Sequence, residues 1–292
     1  MLQKEHGIDT FTLYYLGTTL LAGQPGPPWR LGLHMLSTAS DLGYIASTLS
    51  LVRLLTRVDV NSNARSQAMF QRASQRFSSL IKEGEHPDAL TLQGIILASA
   101  GDSRKAAQYF SAAIKAAAAA GDKATQYRPH PMSRAQLSDD PEPEALIQDQ
   151  LEGGGGSDLE APGLHKTGRS RRLYRWNWEA SCYLGLGRCK LASGSRAAAE
   201  VAFRVVALEL DHPEGYLELG KLQPPGAPER HAYLAKAAVS GEDAAAVLLG
   251  EMYVQAAEEA GLAKRQRSEL RLLAAGWLEV AGQDEPARQL RR

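Results

Sequence analysis

The chain contains an internal repeat in which small and large residues, most of them apolar, recur at matching intervals. Seven positions of the first copy are Leu90, Gly94, Leu97, Gly101, Ala106, Phe110 and Ala113. The corresponding positions of the second copy are Tyr183, Gly187, Lys190, Gly194, Ala199, Phe203 and Val206, with the same spacings of 4, 3, 4, 5, 4 and 3 residues. A repeat of this length predicts stacked helix pairs, because a single unit cannot bury its apolar face alone. We therefore expect an all-α fold.

Helical spacing of apolar residues extends beyond the two copies. It predicts four helices before the first copy, at residues 9–23, 29–42, 43–56 and 64–82, and further helices from residue 171 to the C-terminal region. Glycine and proline separate these segments, as is usual at helix ends. No segment alternates apolar and polar residues in the manner of a strand.

The composition changes sharply between the two copies. Residues 126–166 contain five prolines, a run of four glycines and eight acidic residues, and apolar periodicity is lost. A segment of this kind buries too little apolar surface to offset its conformational entropy. We therefore predict N-terminal helical repeats at 9–121, a disordered acidic insertion rich in Pro and Gly at 122–170, and C-terminal repeats at 171–290.

The repeated positions resemble the tetratricopeptide pattern, in which small residues let two antiparallel helices approach and large residues fill the space between them. The C-terminal part resembles the related Sel-one-like repeat. Its elements there are Leu219-Gly220, Lys236-Ala237-Ala238 with Gly241, and Leu249-Gly250 with Tyr253. The resemblance implies an α-α superhelix, or solenoid, whose concave groove binds a protein or peptide.

The same resemblance assigns the groove to the first helix of each pair. The matching positions include Thr91, Ile95, Ser99, Leu184 and Arg188. Tetratricopeptide domains that clamp the terminal carboxylates of chaperones use Lys, Asn and Arg on these helices, because a carboxylate needs convergent cationic and amide donors. Only Arg188 fits that requirement, so the chaperone clamp is disfavoured.

One local segment suggests an alternative function. Basic residues followed by tryptophans could bind RNA through phosphate contacts and base stacking. The segment consists of Lys166, Arg169, Arg171, Arg172, Arg175, Trp176 and Trp178. The simpler interpretation is a solvated first helical turn whose tryptophans anchor the returning chain. The chain has 33 basic and 33 acidic residues, and a single basic cluster in such a neutral chain is weak evidence for nucleic-acid binding. We do not expect nucleic acid to be the main partner.

Catalytic and metal-binding signatures are missing from the sequence. The seven histidines are scattered without zinc spacing, and no nucleophile elbow or phosphate-binding loop occurs. Cys182 and Cys189 are seven residues apart on one predicted helix, about 10 Å along its axis, which is too far for a disulfide. We expect two buried thiols, no cofactor, no metal and no enzymatic activity.

These observations predict a non-enzymatic scaffold or adaptor, with an assembly factor as one form of it, that binds a protein or peptide in its groove. Few cysteines indicate a reducing compartment. Acidic residues precede the apolar segment 11–23, which argues against a secretory leader, and no stretch has the roughly 18 apolar residues of a membrane span. We expect a soluble intracellular protein of the cytosol, or of an organelle matrix if the N-terminus is trimmed.

Overall fold

The computed structural model describes residues 7–23, 26–57, 68–119, 176–259 and 261–291. All regular structure within these ranges is helical, with no strand, which confirms the all-α prediction. The predicted insertion at 122–170 and the basic residues between 166 and 175 lie outside the described residues.

The helices fall into two compact units, and the first contains seven of them. These are α1 (Thr10–Leu21), α2 (Pro27–Asp41), α3 (Ile45–Arg57), α4 (Ala68–Glu83), α5 (Pro87–Ser99), α6 (Ser103–Ala119) and α7 (Glu179–Ala192). Each of the first six packs on the helix that follows it in the unit, and α7 packs on both α6 and α5. Consecutive packing of this kind is what stacked helix pairs require.

The second unit begins at residue 194 and contains the remaining helices. These are α8 (Arg196–Arg204), which continues as one π-helical stretch (Val205–Glu209), α9 (Pro213–Leu222), α10 (Pro228–Val239), α11 (Asp243–Glu258), α12 (Lys264–Val280) and α13 (Asp284–Leu290). Neighbours along the chain again pack on one another throughout the unit.

The turn between α5 and α6 shows how the sequence ends one helix and starts the next. Gly101 has φ +86°, a left-handed conformation that glycine adopts without the clash of a Cβ. The N–H of Asp102 donates to the carbonyl of Leu97 at 2.9 Å, which satisfies the end of α5. The Asp102 carboxylate then accepts the N–H of Lys105 at 3.1 Å and caps the start of α6.

The small and large residues of the repeat meet in the structure. An ideal Cβ built on Gly94 of α5 would be 2.6 Å from the ring of Phe110 on α6, so the two helices touch where glycine leaves room. Three other pairs of consecutive helices use the same arrangement. Their glycine and its large neighbour are Gly17 and Leu36, Gly220 and Leu234, and Gly250 and Leu278.

Candidate partner-binding groove

The five positions that the resemblance assigns to a groove differ in exposure. Thr91 is fully buried, and its hydroxyl donates to the Pro87 carbonyl at 2.7 Å. Leu184 is buried as well. Ile95 is half-buried, while Ser99 and Arg188 are exposed. The structure thus places two of these side chains in helix packing and leaves three at the surface of the first unit, where partner binding stays a prediction.

The two tryptophans of the predicted basic segment lie at the start of α7 and are engaged in packing. Trp176 is 3% exposed, and its ring centroid lies 6.4 Å from that of Tyr183. Trp178 is half-buried, with the guanidinium of Arg53 5.3 Å from the centre of its ring. The backbone N–H of Trp178 donates to the Asp88 carboxylate at 2.9 Å, which ties α7 to α5.

Asp88, Thr91 and Cys182 form a buried polar cluster between α5 and α7. Burial raises the pKa of Asp88 to about 6, although the hydrogen bond from the Trp178 N–H opposes the shift. Burial also raises the pKa of Cys182 to about 12, and its thiol donates to the Phe110 carbonyl at 3.4 Å. A thiol with such a pKa stays protonated at neutral pH and is a poor nucleophile.

A groove of about 840 Å³ runs between α6 and the C-terminal part of α7, within the first unit. We call it the α6–α7 groove. Its small side chains include Ala107 and Ala112 from α6 and Cys189 and Ala192 from α7. Small residues keep the space between the two helices open to a ligand.

Three of the four charged residues that line the described part of the α6–α7 groove are cationic. Arg104, Gln108, Ser111 and Lys115 follow one another at intervals of 4, 3 and 4 residues, so they share one face of α6. Their span of 11 residues places Arg104 and Lys115 about 16 Å apart along the helix axis. Lys190 contributes a third cation from α7.

One acidic residue, Asp102, is among the side chains that line this groove. Its carboxylate lies 3.0 Å from the ammonium of Lys105, and the two hydrogen bonds from Lys105 hold the pKa of Asp102 below its usual range. Within the part of the chain that the structure describes, no ion pair within 4.0 Å joins Lys115 or Lys190 to a carboxylate. The groove therefore presents net positive charge to a ligand.

The first unit has a second, smaller groove of about 530 Å³ lined by α3, α4 and α5. Its polar residues are uncharged and include Gln71, Ser74 and Gln75, and Phe77 and Ile96 add apolar surface. The described residues of this lining can offer amide and hydroxyl contacts, and none of them carries a formal charge.

The second unit contains a compact polar cluster centred on Tyr216. The hydroxyl of Tyr216 donates to the Asp211 carboxylate at 2.9 Å. The ammonium of Lys236 lies 2.8 Å from the same carboxylate, 2.7 Å from the Tyr216 oxygen and 4.3 Å from the centre of its ring. Burial alone would lower the pKa of Lys236, but its bonds to Asp211 and Tyr216 raise it.

The positions of these residues explain the cluster as an anchor for the helix pair. Asp211 has φ +52° in the turn before α9, Tyr216 lies on α9, and Lys236 lies on α10. Each of the three polar groups bonds to the other two. Lys236 therefore fixes α10 against the turn.

A second polar contact in this unit joins α11 to α10. The Tyr253 hydroxyl of α11 lies 2.7 Å from Nε2 of His231 on α10, and the two rings meet edge to face. Burial raises the pKa of Tyr253. This hydrogen bond joins consecutive helices in the same way as the Tyr216 cluster.

The described residues hold neither a cluster of metal ligands nor a membrane-spanning helix. In residues 7–119 and 176–291, apart from their short gaps, His, Cys, Asp and Glu do not gather in groups of three or more that could hold a metal ion. No described helix is both long enough and apolar enough to cross a membrane. No protein-family model and no curated protein matches this chain.

Proposed function

We propose that this protein is a non-enzymatic scaffold or adaptor that binds a partner protein, with an assembly factor as one form of that role. We further propose that its helix pairs are repeats of the tetratricopeptide and Sel-one-like type and stack into a superhelix. Support for the repeat comes from the recurring glycine contacts, such as Gly94 with Phe110 and Gly220 with Leu234. Consecutive helices pack in both units, as such repeats require.

The observation that carries the binding function is the α6–α7 groove. It combines a small-residue surface with three cations, Arg104, Lys115 and Lys190, on two helices of a single unit. By contrast, the titratable groups buried elsewhere are engaged with their neighbours: Cys182 is a protonated thiol, and Tyr216 is bonded to Asp211 and Lys236. A surface for binding is thus better supported than a centre for catalysis.

The alternative of RNA binding through residues 166–178 has weaker support. Trp176 is buried and Trp178 packs against Arg53, so neither ring is presented for base stacking. Affinity for single-stranded RNA that falls steeply with salt and is lost when the basic residues of that segment are neutralised would favour the alternative.

Site-specific photo-crosslinking in the source cells tests the proposed function. A benzophenone side chain would replace one residue at a time. The three positions are Gln108 in the α6–α7 groove, Gln75 in the smaller groove lined by α3, α4 and α5, and Arg271 on an exposed face of α12. We expect one protein to crosslink at position 108 and not at 271, and to bind the purified chain saturably. A crosslink at 75 alone would move the binding surface to the other groove. No protein crosslink at either groove would contradict the function.

A further inference from the structure

We propose that the α6–α7 groove binds an acidic peptide segment of a partner protein. The inference rests on the proposed scaffold function and deepens it by assigning the chemistry of the partner. Three features of the groove carry it: the sign of its charge, the spacing of its cations and the size of its lining side chains.

The charge of the groove selects an anionic ligand. Arg104 and Lys115 are exposed, and Lys190 is half-buried. The nearby acid, Asp102, is already bonded to Lys105. A ligand that brings carboxylates into this groove would form charge-assisted hydrogen bonds, which are stronger than neutral ones.

The spacing of the cations fits an extended peptide. Arg104 and Lys115 mark the ends of a face about 16 Å long on α6. An extended chain advances about 3.3 Å per residue, so roughly five residues cover this distance. Two acidic residues separated by about that interval would reach both cations, while Gln108 and Ser111 between them can bond the peptide backbone.

The lining also distinguishes a peptide from a nucleic acid. Sites for single-stranded nucleic acid combine cations with aromatic rings on which bases stack. No aromatic side chain is among the described residues that line this groove, and its described surface between the cations is formed by Ala107, Ala112 and Cys189. Small side chains suit the narrow profile of a peptide, and three cations are few for a phosphate backbone.

A binding assay with a defined probe tests the proposal. The probe is a fluorescein-labelled peptide of alternating Glu and Ala, long enough to cover the groove, and its counterpart has Gln in place of every Glu. Fluorescence anisotropy measures both peptides against the full chain. We expect saturable binding of the Glu peptide, weakening with added salt, and at least tenfold weaker binding of the Gln peptide.

Charge reversal in the groove is compared with the same charge change elsewhere. The groove variant carries Arg104→Glu, Lys115→Glu and Lys190→Glu, and the control variant carries Arg30→Glu, Arg267→Glu and Arg271→Glu at exposed positions. Both change the net charge equally, and circular dichroism checks that both are folded. We expect the groove variant to bind the Glu peptide on the order of 30-fold more weakly than the control variant.

Each contrary outcome overturns the assignment. Equal losses in the two variants would show that only net charge matters. Failure of the Glu peptide to bind either this chain or a variant whose acidic residues at 135–165 are changed to Asn and Gln would exclude the acidic ligand. Binding of single-stranded RNA that depends on the groove cations, with none of the Glu peptide, would assign the groove to nucleic acid.

The chain itself contains an alternative occupant. Residues 135–165 hold eight acidic residues and no Lys or Arg. If the Glu peptide binds only after these acids are changed to Asn and Gln, the groove belongs to the chain's own acidic segment and not to a partner.

The crosslinking experiment separates this inference from the proposed function. A partner that crosslinks at position 108 and binds the groove variant as tightly as the unmodified chain would leave the scaffold function intact and refute the acidic ligand. Absence of any protein partner, together with tight binding of the Glu peptide, would contradict the scaffold function and leave only the affinity of the groove for acidic peptides.

Discussion

The ring of Phe110 on α6 lies directly against the backbone of Gly94 on α5, at a distance that no other residue would allow. An ideal Cβ on Gly94 would be 2.6 Å from the ring, and one on Gly185 of α7 would be closer still. Phe110 is itself fully buried. One aromatic ring therefore fills the space between three helices, and these helices include both walls of the α6–α7 groove.

We expect Gly94→Ala and Gly185→Ala each to destabilise the protein. The added methyl group would force the Phe110 ring or a helix to move, and overpacking of a filled core costs about 1–3 kcal/mol. Chemical denaturation followed by circular dichroism measures the change in the free energy of unfolding.

Gly276→Ala is the matched control, because nothing lies within 4 Å of the position that its Cβ would take in α12. Here alanine should stabilise the helix by up to about 1 kcal/mol, as its helix propensity predicts. If all three substitutions had the same effect, the close approach at Phe110 would not be what constrains Gly94 and Gly185.

Helix periodicity predicts most of the fold, and the repeat predicts the meeting of Gly94 with Phe110. The repeat pattern does not include Gly185, the residue of α7 that also meets Phe110. That contact depends on how α7 is rotated against α6, which helical spacing does not give.

The exposure of the five positions that the resemblance assigns to a groove does not follow from the sequence, for a related reason. Thr91 and Leu184 are buried because α7 packs on α5, and a family pattern does not give the angle of that contact. The polar face from Arg104 to Lys115 follows from helical spacing alone and was visible in the sequence. That Lys190 lines the same groove depends on tertiary packing, which the spacing of residues does not encode.

We expect Asp88→Asn to stabilise the protein at neutral pH. The folded pKa of Asp88 is about 6 and lies above the ordinary value of 3.8, so the folded state binds the proton more tightly than the unfolded state. Stability from this group is complete below pH 3.8 and is lost as the pH rises through 6. Asparagine can still accept the Trp178 N–H, and the expected gain at pH 7 is about 1–3 kcal/mol.

Denaturation at a series of pH values from 4 to 8 checks the sign of this effect. The unmodified chain should lose stability across this interval relative to Asp88→Asn. The control is Asp102→Asn, because bonds to Lys105 lower the pKa of Asp102, and its contribution is therefore lost as the pH falls. If the free energy of unfolding of Asp88→Asn varied with pH in the same way as that of the unmodified chain, the raised pKa of the buried Asp88 carboxyl would be contradicted.

We expect neither cysteine to react quickly with Ellman's reagent in the native state. Cys182 and Cys189 are free and buried, and burial raises the pKa of both thiols. Unfolding in guanidinium should make both cysteines reactive, because each thiol is then exposed to solvent and has an ordinary pKa. Rapid labelling of Cys189 in the native protein would show that the floor of the α6–α7 groove is more open than the structure indicates.

The Asp211–Lys236 pair should contribute more to stability than an ordinary surface ion pair. Its side chains are 20% and 43% exposed, and both bond the hydroxyl of the buried Tyr216, whereas the Arg265–Glu269 pair on α12 is 89% and 57% exposed. A double-mutant cycle with Asp211→Asn and Lys236→Gln isolates the coupling energy. We expect about 1 kcal/mol for this pair and no more than about 0.5 kcal/mol for Arg265→Gln with Glu269→Gln, since solvent screens the exposed pair.

Asparagine tolerates the positive φ at position 211, so backbone strain does not distort the comparison. Equal coupling energies in the two cycles would mean that Lys236 does not anchor α10 to the turn before α9.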